Sequence, residues 1–168
     1  CDGNVADATS NNQTQTFSTY GLSVPGNAII TGIQVRVRAN DGTKNNRRIQ
    51  VSLSSDGGTT YTAALNTRNF RRNTPLKDYI VGGSAILWGR TWTPADFANG
   101  SFKLKAVSKA PGQPSADTVH LDCIPVTVLY RIPGAPNLNI SKVDSPDPVQ
   151  PNTSLTYTIA YGNTGEST

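Results

Sequence analysis

The chain reads as all-β, a two-sheet sandwich followed by a second, shorter β segment. Three observations predict this: period-two alternation of apolar and polar residues, scarcity of helix formers, and frequent turn residues. Of 168 residues only 15% are charged, Met is absent, and Glu occurs once, at Glu166. Thr, Val, Ile and Tyr, which suit a pleated and half-buried surface, stand in their place.

The strands follow in order. Over residues 28–39, Ile29, Ile33, Val35, Val37 and Ala39 share one face, while Gln34, Arg36 and Arg38 take the other. Ile49, Val51 and Leu53 repeat the pattern. Asp56-Gly57-Gly58 then predicts a tight reversal leading into Tyr61, because glycine tolerates positive φ. A short helix is expected over 94–99, with Thr93 as cap, Pro94 in first position, Asp96 on the dipole and Gly100 as stop. Phe102, Leu104 and Ala106 point inward, with Lys103 and Lys105 outward. The strand over 119–130 changes parity, from Val119, Leu121 and Cys123 to Ile124, Val126, Val128 and Tyr130. A β-bulge at Pro125 would explain both the switch and the tolerated proline.

Arg131-Ile132-Pro133-Gly134-Ala135-Pro136 cannot continue a central strand. The expected organisation is therefore a sandwich over 1–131, a Pro/Gly linker over 132–137 and a β segment over 138–168. In that last segment Leu155, Tyr157, Ile159 and Tyr161 form an alternating apolar stripe.

Two cysteines, Cys1 and Cys123, read as one long-loop disulfide in a chain of secreted character. The alternative is two free thiols, with Cys123 buried as a small hydrophobe. A start at Cys1 without Met fits ordinary signal cleavage, lipoprotein processing or a trimmed boundary. No apolar run approaches the roughly 20 residues of a membrane helix.

Net charge is +4, and Arg36, Arg38, Arg47, Arg48, Arg68, Arg71 and Arg72 crowd the first half. Only Tyr61 and Phe70 fall among them, too few for the run of aromatics that a nucleic-acid stacking platform requires, so they read as solvated outward positions. Catalysis finds no support. His120 is the sole histidine, with Asp122 two residues on, and no Gly-x-Ser-x-Gly elbow accompanies them. One His and two separated Cys fall short of a zinc site, and the acids are scattered mainly in turns.

Val24-Pro25-Gly26-Asn27-Ala28-Ile29-Ile30-Thr31-Gly32-Ile33-Gln34-Val35 resembles the opening hairpin of a jelly-roll module of bacterial surface and phage-tail proteins. Gly82-Gly83, Leu87-Trp88-Gly89-Arg90-Thr91-Trp92-Thr93, Asp122 and Val126-Thr127-Val128-Leu129-Tyr130 match it as well. The resemblance covers about residues 15–131 and implies a galactose-binding-like sandwich, with no ligand attached to that inference. It places Trp88 and Trp92 in the framework. Sugar stacking through Trp88 or Trp92, or through Tyr61 or Tyr79, would require exposure in a concave patch. No cofactor is expected apart from a structural Ca²⁺, which jelly rolls of this kind carry and which Asp56, Asp117 and Asp122 could hold.

The later run, Ile140-Ser141-Lys142-Val143-Asp144-Ser145-Pro146-Asp147-Pro148-Val149, then Leu155-Thr156-Tyr157-Thr158-Ile159 and Gly162-Asn163-Thr164-Gly165, is similar to a repeat of large bacterial surface proteins. That repeat is catalogued as domain of unknown function eleven and is immunoglobulin-like; about two of its strands are present. These resemblances imply an extracellular, cell-surface structural protein. Two strands cannot bury the stripe by themselves, so the segment is expected to fold back on its own domain, to mark a boundary cut inside a longer repeat, or to self-associate by donating strands to a neighbour. The alternative is an adhesion module that binds surface glycans.

Overall fold

A computed structural model of the chain describes residues 1–42, 47–70, 75–110, 118–134 and 137–165. The chain divides into two compact units, Cys1–Arg131 and Ile132–Thr168. The boundary falls where the Pro-Gly run begins.

The first unit contains β1 (Ala6–Ala8), β2 (Thr14–Phe17), β3 (Ile29–Asp41), β4 (Arg48–Ser54), β5 (Leu65–Asn66), β6 (Lys77–Gly83), β7 (Lys103–Lys109), β8 (Val119–Cys123) and β9 (Val126–Arg131). One sheet has the order β1-β8-β3-β6, with β9 continuing β8 along the same side of β3. The other has the order β2-β7-β4-β5. All pairings are antiparallel. Distributing successive strands between two sheets in this order is the arrangement of a jelly roll.

The inward faces of both sheets meet in one core. Ile33, Val35 and Val37 of β3 face it from one sheet, and Val51, Leu53 and Leu104 from the other, all fully buried. The expected alternation in β4 and β7 holds throughout these positions. At the start of β3 it does not. Ile30 is 6% exposed and Ile29 41%, the reverse of the sequence expectation. The cause is a register shift between Ile30 and Gly32, which makes Thr31 an extra residue and flips the face.

A second shift lies opposite Arg38 and Ala39, which pair with Cys123 and Leu121. The extra residue is Asp122, so the bulge sits three positions before Pro125. Pro125 keeps its place beside β3, its carbonyl accepting the Arg36 N–H at 3.0 Å. The bulge leaves Val119 and Leu121 inward, turns Cys123 outward and returns Ile124 to the core.

The short helix is a single 3-10 turn, Pro94–Phe97, shorter than the expected 94–99. The Asp96 carboxylate accepts the Thr93 N–H at 2.7 Å, satisfying one orphan donor of the turn. In β6, Gly82 has φ +78°, and a Cβ there would lie 2.2 Å from the Ile33 carbonyl and 3.0 Å from Trp88 Nε1. Glycine is required for the Trp88 indole to lie against β6 and donate to Ile33 O at 2.9 Å.

The second unit is a two-stranded antiparallel hairpin, β10 (Leu138–Ser145) and β11 (Thr156–Asn163). Its register runs unbroken from Leu138↔Asn163 to Ser145↔Thr156. Asn137 closes the open end: its N–H donates to Asn163 Oδ1 at 2.9 Å, and its carbonyl accepts the Thr164 N–H at 3.1 Å.

Candidate functional site: the apolar face of the hairpin

The hairpin register pairs Ile140 with Tyr161, Lys142 with Ile159 and Asp144 with Tyr157, and these pairs share a face with Leu138. That face is apolar apart from Asn163 opposite Leu138 and the Lys142–Asp144 corner, where the Lys142 Nζ lies 3.9 Å from the Tyr157 ring centroid. The opposite face carries Asn139, Ser141, Val143, Thr158 and Ala160, which are smaller or polar.

All five large residues of the apolar face are open to solvent. Relative exposures are 75% for Leu138, 77% for Ile140, 53% for Tyr157, 57% for Ile159 and 83% for Tyr161. Burying a side chain of this size is worth about 1.5–3 kcal/mol. A two-stranded hairpin has no second layer with which to collect it. Of the sequence-stripe residues, Tyr157, Ile159 and Tyr161 fall on this face, while Leu155 precedes β11 and is half-buried. Leu138 and Ile140 escaped the sequence reading because Lys142 and Asp144 interrupt their alternation; strand pairing alone unites them with β11.

The disulfide joins Cys1 to Cys123, with Cα atoms 5.2 Å apart. The Asp122 bulge explains its position, because Cys123 now faces outward, not toward Val119 and Leu121. Arg36 donates to the Cys1 sulfur at 3.6 Å, and Gly3 N–H to Asp122 at 3.2 Å. Arg36 and Arg38 both face Asp78, at 3.2 and 3.4 Å, and Arg38 Nε lies 3.2 Å from Asp122. These strand arginines are outward and paired with acids.

Of the expected calcium set, the two described residues, Asp56 and Asp122, are not gathered. Asp117 lies outside the described residues. Asp56 sits in the turn after β4 of one sheet, whereas Asp122 sits in the bulge of the other. Among the described residues, the cluster that brings three metal-binding side chains together is Cys1, Asp122 and Cys123. Its two sulfurs are bonded to each other, leaving one carboxylate.

Asp56 instead holds its turn. It accepts the Thr60 hydroxyl at 2.6 Å, the Thr60 N–H at 2.9 Å and the Ser54 hydroxyl at 2.7 Å. These bonds, Thr60 foremost, hold the carboxyl well below the usual range. A depressed folded-state value makes the contribution present above the ordinary carboxylate range and lost as pH falls through the lowered one. Asp56→Asn should therefore lower the urea midpoint slightly at neutral pH, with the gap to wild type closing in strong acid. A gap that widened in acid would contradict this role.

Neither tryptophan offers a stacking surface. Trp88 is 4% exposed and Trp92 6%, and both indole N–H groups are spent on backbone carbonyls, Ile33 and Leu87. Trp88 reaches the cleft it borders with Tyr61 and Arg90 only through that small exposed fraction. His120 does not pair with Asp122; its Nδ1 lies 2.6 Å from Asp7, its cross-strand neighbour on β1.

The chain matches no protein-family model, no curated protein and no solved structure at a significant level. What fold and site define is a class: an all-β protein with a disulfide-closed sandwich and an apolar, solvent-exposed hairpin.

Proposed function

We propose that the chain is an extracellular structural subunit of a bacterial cell-surface assembly, such as a filament, stalk or array. It joins its neighbour by strand addition through residues 138–168. The observation carrying this reading is the exposed face of Leu138, Ile140, Tyr157, Ile159 and Tyr161. Contiguous apolar surface of this kind marks an interaction site. The outer edges of β10 and β11 supply the main-chain donors and acceptors that an added strand needs, and the apolar face sets its register. A contact of this heterologous kind leaves open ends, so fibres follow unless its rotation closes a ring. The disulfide supports an oxidising compartment. The jelly-roll and surface-repeat motifs favour a structural role over a catalytic one.

Light scattering on the full chain and on a variant lacking residues 138–168 tests the reading. The sandwich has its own core, so the truncated chain is expected to fold. The full chain should have a mass several times that of one copy, and the truncated chain the mass of a monomer. A full-length monomer whose truncation changes nothing but mass would refute strand addition.

A further inference from the structure

The two sheets of the sandwich differ in how they treat charge. On the first, Arg36 and Arg38 are matched by Asp78 and Asp122. On the second, the central strand β7 turns Lys103, Lys105 and Lys109 outward while Leu104, Ala106 and Ser108 are buried. Cross-strand pairing sets Lys109 directly opposite Arg48, two like charges in register, an arrangement that is unfavourable by itself. None of the outward positions on β2, β7, β4 and β5 carries Asp or Glu. Among the described residues, none of these four cations forms an ion pair. The lysine row spans about 20 Å at the strand rise of about 3.3 Å per residue.

Apart from Asp56 in the turn at the Lys103 end, whose carboxylate is taken up by the Ser54 and Thr60 hydroxyls, the groups around the row are hydroxyls and amides. Thr16 lies opposite Lys105, Thr14 opposite Val107 and Gln50 opposite Val107 from the other side. The Lys105 Nζ sits 3.9 Å from the Tyr61 ring centroid. At the Lys103 end, the residue opposite it, Ser54, borders a cleft of ≈ 240 Å³ lined also by Thr60, Tyr61, Thr62, Trp88 and Arg90.

From this we infer that the outer face of the β2-β7-β4-β5 sheet binds an anionic polysaccharide, one whose sugars carry carboxylates or phosphates. Ammonium groups in a row meet the charges, and the flanking hydroxyls and amides meet sugar hydroxyls. Nucleic acid fits less well, because a single tyrosine, already covered by a lysine, is not a stacking platform. This site is separate from the hairpin and stands whether or not the chain assembles.

The probe is polygalacturonate at low salt, with neutral dextran and a single-stranded RNA oligomer as comparators. The wild-type chain should bind polygalacturonate, with affinity falling as salt rises, and should ignore dextran. Lys103→Gln/Lys105→Gln should weaken binding about tenfold. Arg36→Gln/Arg38→Gln, of equal charge change on the other sheet, should not. Unchanged unfolding midpoints certify that both variants are folded. Equal losses in both double variants would reduce the effect to net charge and overturn the site. So would no binding by wild type, and tighter binding to RNA would overturn the ligand class.

Discussion

Replacing Cys1 and Cys123 with Ser is expected to destabilise the sandwich by about 4–5 kcal/mol in the chain-entropy account of cross-links. The bridge closes a separation of 122 residues, so it restrains nearly the whole first unit in its unfolded state. Its folded-state surroundings add little to the loss. Cys123 faces outward beyond the Asp122 bulge, so serine leaves no cavity in the core. The sulfur contact from Arg36 is a weak one at 3.6 Å. Removal should therefore move the denaturant midpoint, with native strand content retained below it. Reduction of the wild-type protein should reproduce the same shift, because both treatments free the same loop. A shift under about 1 kcal/mol would mean the N-terminal segment is held by β1 pairing and not by the bond.

Trp92→Ala should cost about 3–5 kcal/mol, the range for truncating a large aromatic in a core. The indole stacks on Phe97 at 5.4 Å, lies 6.2 Å from Phe102, and carries the Arg90 guanidinium 4.5 Å from its ring. Truncation removes these contacts together and leaves the Leu87 carbonyl without its indole donor, itself a penalty beyond lost area. The variant that remains folded should bind polygalacturonate as wild type does. A stable Trp92→Ala protein that lost sugar affinity alone would place the ligand at the tryptophans and reverse the structural assignment.

The legible parts of the fold were those governed by local chemistry. Alternation in β4 and β7 located the core face residue by residue, and Asp56-Gly57-Gly58 marked its turn, with both glycines at positive φ. Pro94 and Asp96 marked the helical turn, although not its length. What the pattern missed were register events. A one-residue bulge changes no composition, so Thr31 could not announce that Ile30 and not Ile29 enters the core. The parity change over 119–130 did betray a bulge, but proline drew attention from Asp122, where the extra residue lies. The same limit applied to the candidate site. Tyr157, Ile159 and Tyr161 are readable as a stripe, yet Leu138 and Ile140 join them only through the β10–β11 pairing. The lysine row was visible as Lys103 and Lys105 outward; that no outward strand position beside it carries an acid is a property of the assembled sheet.

Strand addition makes a specific demand on the hairpin backbone, and amide hydrogen exchange reads it directly. In dilute protein the outward-facing amides of Tyr157–Tyr161 have no partner strand and should exchange quickly, as exposed edge groups do. Raising the concentration into the range where mass grows by light scattering should slow those amides, while the amides of β3 and β7 in the sandwich keep their rates. Exchange in β11 that is the same at low and high concentration, in a sample whose mass does grow, would contradict assembly through these strands.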